Sequence, residues 1–305
     1  MSRLFVFAAL GFAAFCCGLR VQSIQKACVA SLLGLGLCAT PELALAAPEG
    51  SVVVLGASGK TGAQVVKILA SQGVKVQPAY ARETADRFAG VENVYPPMVA
   101  DVTKPESLAS ALLGANAVVF AASASGKGGN AEAVDYKGVE NTARAAVDDG
   151  VKRLVIISSA AVTRPDSLGY KVTNLFGGIM GYKFKGEEAA RALYSEPAAQ
   201  KLSLAIIRPG GLLDGKALGP KEMELNQGDS IAGEVNRADV AECVAAAVIS
   251  TSLPQRVTFE ISEAGRSGPL EGGFKTKSGY EQSGKDSYEE LFKGLKIDFN
   301  RLEKE

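Results

Sequence analysis

From residue 51 onward the chain alternates between short, nearly continuous apolar runs and longer stretches whose apolar residues recur every three or four positions. The run 51–55 is rich in valine and bounded by Gly50 and Gly56, the pattern of a strand buried on both faces. Residues 61–72 carry Val65, Val66, Ile68 and Leu69 on one helical face, and Gly73 supplies a stop. The same reading predicts strands at 74–79, 94–99, 117–122, 153–158, 202–207 and 256–261, the second weakened by Pro96-Pro97. Helices are predicted at 104–113, 132–149, 184–194 and 238–250, the first with Pro105 at its start. Strand–helix alternation with continuous apolar strands implies an α/β fold, a doubly wound parallel sheet with helices on both faces.

Beyond residue 263 the pattern fades. Residues 264–285 are rich in Gly, Ser and Lys and read as a linker after a main domain at 47–263. Asp286-Ser-Tyr-Glu289 then opens an amphipathic helix over 286–305, with Leu291, Phe292, Leu295 and Leu302 on one face. Such a helix either packs back on the domain or docks a protein partner.

The first 46 residues read as a targeting leader that is removed. Arg3 precedes an apolar run at 4–19, a polar stretch with Arg20 and Lys26 follows, and a second apolar run spans 27–39. Ala44-Leu45-Ala46 forms a small-residue cleavage site before Ala47. Two processing signals in series, with Ala13-Ala14-Phe15 at the first junction, resemble a multipart plastid leader. The resemblance implies a plastid destination, stroma or thylakoid lumen; the alternative is an ordinary secretory signal. No stable membrane span is expected in the mature chain.

Composition narrows the chemistry. The 305 residues hold 33 basic and 33 acidic side chains, which gives no electrostatic footprint for nucleic acid. There is no histidine, so mechanisms built on imidazole are excluded. Of the five cysteines, Cys16, Cys17, Cys28 and Cys38 lie in the leader. Cys243 alone remains, so the body holds neither a disulfide framework nor a cysteine zinc site, and no metal site is expected.

The first strand runs into Gly56-Ala57-Ser58-Gly59-Lys60-Thr61-Gly62, which opens a helix. Glycines at i, i+3 and i+6 permit a tight turn, close approach of backbone to a diphosphate, and close packing of helix on strand. The phosphates then face free N–H groups at the helix start, so this loop is the candidate dinucleotide site. A P-loop would need glycine where Val54 stands. After the second strand, Arg82 favours NADP over NAD, because arginine grips a 2′-phosphate; a solvated surface arginine beside Glu83 is the alternative. Asp101 and Val102 are placed to meet the adenine edge, or Asp101 caps a helix. Ala121, Ala122 and Ser123 either lie beside the nicotinamide ribose or provide tight packing.

These stretches, with Asp135-Tyr-Lys-Gly138, Gly150 to Ser159, Ile207-Arg-Pro-Gly-Gly-Leu-Leu-Asp214 and Arg237-Ala-Asp-Val-Ala241, resemble the atypical short-chain dehydrogenase/reductase family in its NmrA-like, NAD(P)-binding branch. The resemblance implies a Rossmann-type sheet with a small substrate lobe built from late loops. It also implies a serine, a tyrosine and a lysine four residues after the tyrosine as catalytic groups. Ser159 matches the serine and Lys185 the lysine, but the tyrosine position holds Gly181. Tyr182, three residues before Lys185, shares a helix face with it and is the candidate proton donor. The alternative is that Lys185 only holds the nicotinamide ribose and Tyr182 only packs. Arg208 and Asp214 flank the late Pro209-Gly210-Gly211 turn, as substrate contacts or as a structural pair. Two functions are therefore expected: hydride transfer between NADPH and a small organic substrate, or NAD(P)H sensing and assembly without turnover, with partners held by late loops or the tail helix.

Overall fold

The computed structural model describes residues 46–124, 129–175, 177–270 and 282–298. The expected leader, apart from Ala46, lies outside them, as does Leu302. Thirteen strands are found among the described residues: β1 Val52–Leu55, β2 Val76–Tyr80, β3 Met98–Val99, β4 Ala117–Phe120, β5 Arg153–Ile157, β6 Ser203–Pro209, β7 Gly211–Leu213, β8 Met223–Asn226, β9 Ile231–Ala232, β10 Glu234–Asn236, β11 Arg256–Glu263, β12 Gly268–Pro269 and β13 Gln282–Ser283. The α-helices are α1 Lys60–Ser71, α2 Pro105–Leu112, α3 Val139–Asp148, α4 Leu168–Asn174, α5 Ile179–Tyr194, α6 Arg237–Ile249 and α7 Tyr288–Phe292.

One nine-stranded sheet runs β13-β8-β11-β6-β5-β4-β1-β2-β3. From β11 to β3 every pairing is parallel; β8 joins β11, and β13 joins β8, antiparallel. The order reverses between β1 and β4, the switch point where doubly wound folds open a crevice beyond the strand ends. Period-two alternation distributes the strand residues between two cores. Val52, Val54, Val119, Val155 and Phe259 meet α1, α6 and α7 on one face. Val53, Leu55, Phe120, Leu154 and Ile206 meet α2, α3 and α5 on the other. Each such buried apolar side chain contributes about 1.5–3 kcal/mol.

The differences from the sequence pattern have local causes. Only Met98 and Val99 form β3, with Val94 bridging alone to Val76, because Pro96-Pro97 removes consecutive donors. The helix expected from 184 starts at Ile179, on Gly178 in the left-handed region (φ +73°); the glycines around it mask its onset in sequence. α4, which the sequence reading did not predict, has no buried residue and leaves Leu168, Val172 and the following Leu175 exposed; Ser167 caps it by accepting from the Tyr170 N–H.

Part of the stretch read as a linker is structured. β12 pairs with β9, and β13 with β8. The tail is helical only over Tyr288–Phe292 among its described residues, not throughout 286–305. It packs back: Leu291, Phe292 and Leu295 enter the core beneath α6, and the Tyr288 hydroxyl donates to the Asp239 carbonyl. Residues after β4 and β5, joined by Leu270 after β12, build a satellite core of Ala131, Ala161, Val162, Ile179, Met180 and Leu270. Among the described residues no helix is long and apolar enough to cross a membrane.

Candidate functional site: a nicotinamide nucleotide crevice

The loop after β1 folds as its glycines require. Gly56 sits at φ +77°, and a Cβ there would lie 2.7 Å from the Ala122 nitrogen and 2.8 Å from the Ala121 carbonyl carbon. A Cβ on Gly62 would lie 2.5 Å from the Gly56 carbonyl oxygen, so α1 seats directly on the turn. The Gly59 N–H donates to the Gly56 carbonyl at 2.9 Å, closing the turn. No side chain caps α1 and no acid stands in its first turn. Its N-terminal dipole therefore faces the crevice uncompensated, a cradle that fits a diphosphate.

Lys60 is engaged at Asp214: its ammonium donates to Asp214 Oδ2 at 2.7 Å, and Arg237 pairs with the other oxygen at 2.5 Å. The hydrogen bond from Lys60, helped by Arg237, holds the Asp214 carboxyl below its usual range. Asp214 thus ties the glycine loop to the start of α6. Asp214→Asn is expected to release Lys60 toward bound phosphate and tighten nucleotide binding a few-fold in a fluorescence titration. Weaker binding would show that the pair organises the loop instead.

Arg82 is exposed at the end of β2. The sequence reading missed Arg87, whose guanidinium donates to the Ser58 carbonyl at 2.6 Å and so lies across the glycine loop. Its distance along the chain from the glycines gave no signal. Asp101 accepts from the N–H and hydroxyl of Thr103, and its own N–H donates to Ser107 Oγ, so it organises the turn into α2. Val102 is buried against Gly138, where a Cβ would lie 2.8 Å from it. Ala121 and Ala122 are the backbone on which Gly56 rests.

Tyr182 and Lys185 lie against each other, while Ser159 and Tyr182 each take a different hydrogen-bond partner. The Ser159 hydroxyl donates to the neighbouring Ala160 carbonyl at 3.2 Å, and the Tyr182 hydroxyl points to Glu132 at 3.4 Å. Lys185 is exposed, with its ammonium 5.2 Å from the Tyr182 ring centre. No hydrogen bond joins Ser159 to either residue among the described residues. The lysine that turns inward is Lys183, 2.8 Å from the buried Asp135 carboxylate. Asp135 also accepts from the Ser123 hydroxyl at 2.9 Å and the Ala124 N–H at 3.0 Å, at the end of β4.

Asp135 belongs to a π-helical stretch, Glu132–Gly138, that leads into α3. The sequence shows only a continuous helix here. Such wide turns recur at functional sites.

Arg208 does not pair with Asp214. It is buried, with Nε and Nη2 on the two Glu187 oxygens (3.1 and 2.6 Å) and Nη1 on Glu260 (3.2 Å). Burial alone would raise the Glu187 carboxyl, but Arg208 outweighs it and the direction is down. Glu260 gains less from Arg208 and feels Asp229, so burial pushes it up to about 7. Glu260 accepts from the Asp229 N–H, and the Asp229 carboxylate holds Ala161 and Thr163 in the loop after Ser159. Ala161 is held at φ +68°. This chain of bonds fixes the loop that presents Ser159.

The family profile described as NAD(P)H-binding matches residues 56–251, most of the described chain and all of the crevice. The chain belongs to that family, among the atypical, NmrA-like short-chain dehydrogenases/reductases. The family binds a nicotinamide nucleotide. A chloroplastic protein of pea, TIC 62, is 28% identical over 56% of this chain, which spans 34% of that longer protein. An uncharacterised sugar epimerase of Bacillus subtilis, YhfK, is 26% identical over 70% of this chain and 94% of its own length. The oxidoreductase ylbE of Lactococcus lactis shares the fold, with a TM-score of 0.56 at 20% identity over 70% of this chain and 90% of that one.

Proposed function

We propose that this protein binds NADP(H) in the crevice at the ends of β1 and β4 and exchanges hydride between it and a small organic substrate. The observation that carries the reading is the glycine loop: an uncompensated helix start, a backbone turn closed at Gly56, and two arginines at its adenosine side. Gly59, with only the Gly56 carbonyl within 4 Å of its would-be Cβ, leaves room for the diphosphate over the α1 amides. Arg82, and Arg87 held on the Ser58 carbonyl, would take a 2′-phosphate. A bound dihydronicotinamide supplies the hydride. Ser159 would polarise the reacting oxygen, and Tyr182 would hand it a proton after leaving Glu132.

The displaced hydroxyls favour a second reading, an NAD(P)H-sensing or assembly protein without turnover. Calorimetry on protein starting at Ala47 tests the shared premise, with tighter binding of NADPH than NADH expected and the preference lost in the Arg82→Ala/Arg87→Ala variant. Equal affinities would remove the NADP assignment. NADPH oxidation on quinones, aldehydes or enones supports the enzyme; tight binding with none of these turned over supports the sensor. The paired leader signals and the likeness to a chloroplastic protein support a plastid location, which the N-terminal residue of protein isolated from cells would test.

A further inference from the structure

We propose that a cavity on the flank of α5 turned away from the π-helical stretch is a binding site for a small organic acid, whose carboxylate is taken by Arg256 and the Tyr194 hydroxyl. The proposal does not rest on the nucleotide reading. The cavity, about 320 Å³, lies between α5, the faces of β6 and β11, and the tail at Asp298. Among the described residues that line it, none belongs to the glycine loop or to the end of β4. Residues on a helix advance about 100° each, so α5 has two working faces. Gly186, Ala190 and Leu193 turn to α3 and the core, while Phe184, Glu188, Arg191 and Ser195 form the opposite stripe and line the cavity. β11 supplies part of the floor. Its Val257, Phe259 and Ile261 enter the core beneath α6, so period two sends Arg256, Thr258 and Glu260 to the other face. The far wall is fixed by hydrogen bonds: Asp298 accepts from the Thr258 N–H and hydroxyl at 3.0 and 2.7 Å, and the Gln227 amide donates to the Thr258 and Lys296 carbonyls at 3.0 and 2.9 Å.

Two donors that line this cavity lack partners. Arg256 stands in register with Leu204 at the start of β6, and Tyr194 closes α5, the helix that leads into that strand. The Arg256 Nε is buried without a hydrogen-bond partner, and among the described residues no carboxylate pairs with its guanidinium. The Tyr194 hydroxyl is also buried and unpartnered, on a side chain with no exposure. Burial raises the Tyr194 phenol, so it keeps its proton and donates. A guanidinium carries donors only, so the group missing here is an acceptor, and an unpaired cation selects a charged one. Phe184, Ala192 and Leu204 add apolar wall, and the volume stands at the lower end for ligand pockets. The chemistry that fits is a monocarboxylate with a short apolar body.

Titrations followed by saturation-transfer NMR, with hexanoate, benzoate and 3-phenylpropionate each set against its amide, provide the test. At least one acid should bind saturably and about tenfold more tightly than its amide, the gain expected from a charge-assisted contact. Arg256→Gln should weaken that acid about tenfold and leave the amide unchanged. Tyr194→Phe should weaken it a few-fold without lowering the unfolding midpoint, because the hydroxyl it removes has no partner in the fold. NADPH should not displace the acid. If no acid outbinds its amide, or if Arg256→Gln binds the acid as the unaltered protein does, the proposal is overturned. A lower midpoint in Tyr194→Phe would reveal a partner for the hydroxyl within the fold, and displacement by NADPH would place the acid in the crevice; either result overturns it as well.

Discussion

Gly56→Ala is expected to abolish nicotinamide nucleotide binding and to lower the stability of the fold. Two costs combine. Alanine at φ +77° is strained by about 1–2 kcal/mol. Its Cβ would also meet backbone atoms of Ala121 and Ala122 at 2.7–2.8 Å, which can retreat only by separating β1 from β4. That separation opens the centre of the sheet and moves the amides that face the diphosphate. Gly59→Ala is the companion variant. Gly59 has φ −75°, and its Cβ would meet only the Gly56 carbonyl, at 3.2 Å. The fold should persist, with an unfolding midpoint close to that of the unaltered protein, while the added methyl obstructs the cradle and weakens NADPH by at least tenfold. Undiminished affinity in Gly59→Ala would place the nucleotide elsewhere.

Arg208→Met is expected to cost about 3–5 kcal/mol in urea unfolding, because it leaves Glu187 and Glu260 buried without their cation. A loss below about 1 kcal/mol would mean that the two carboxyls find other compensation. The same cluster predicts how the unaltered protein responds to pH. Glu260, raised to about 7 by burial, keeps a proton in the folded chain that the unfolded chain releases near its ordinary value. Folding therefore binds a proton between those two pH values, and stability falls as pH rises through the window, by on the order of 3 kcal/mol, then levels above it. Glu187 is depressed; its contribution is present through this window and is lost only at lower pH, as acid reaches its folded value. Asp239 and Glu242, raised by burial, act in the same direction as Glu260. With no histidine in the chain, no imidazole masks the slope. Unfolding free energies at pH 5 and pH 8 provide the check, and greater stability at pH 8 would contradict it.

What the sequence made legible was what depends on local pattern. The valine-rich strands, their alternation with helices, and the glycine spacing after β1 sufficed for the doubly wound sheet and its crevice. Side-chain direction was not legible. Motif spacing pointed to Lys185, yet the tight seat of Gly186 on the π-helical stretch turns Lys183 inward. The π-helical stretch itself leaves no periodic trace over seven residues. Apart from β11, the strands after β6 are two to four residues long, and β8 takes its partner from far along the chain, so no local signal announces them. Arg208 and Asp214 sit six residues apart but face different partners, because β6 carries Arg208 into the sheet while Asp214 lies beyond its end.

Among the described residues, both margins of the nine-stranded sheet finish in strands of two residues, β3 and β13, and Pro96-Pro97 denies the β3 side a run of donors. A neighbouring chain seeking to extend the ladder would find almost no template at either rim. Self-association by continuation of this sheet, the route to fibrous aggregates, is disfavoured at both of these rims.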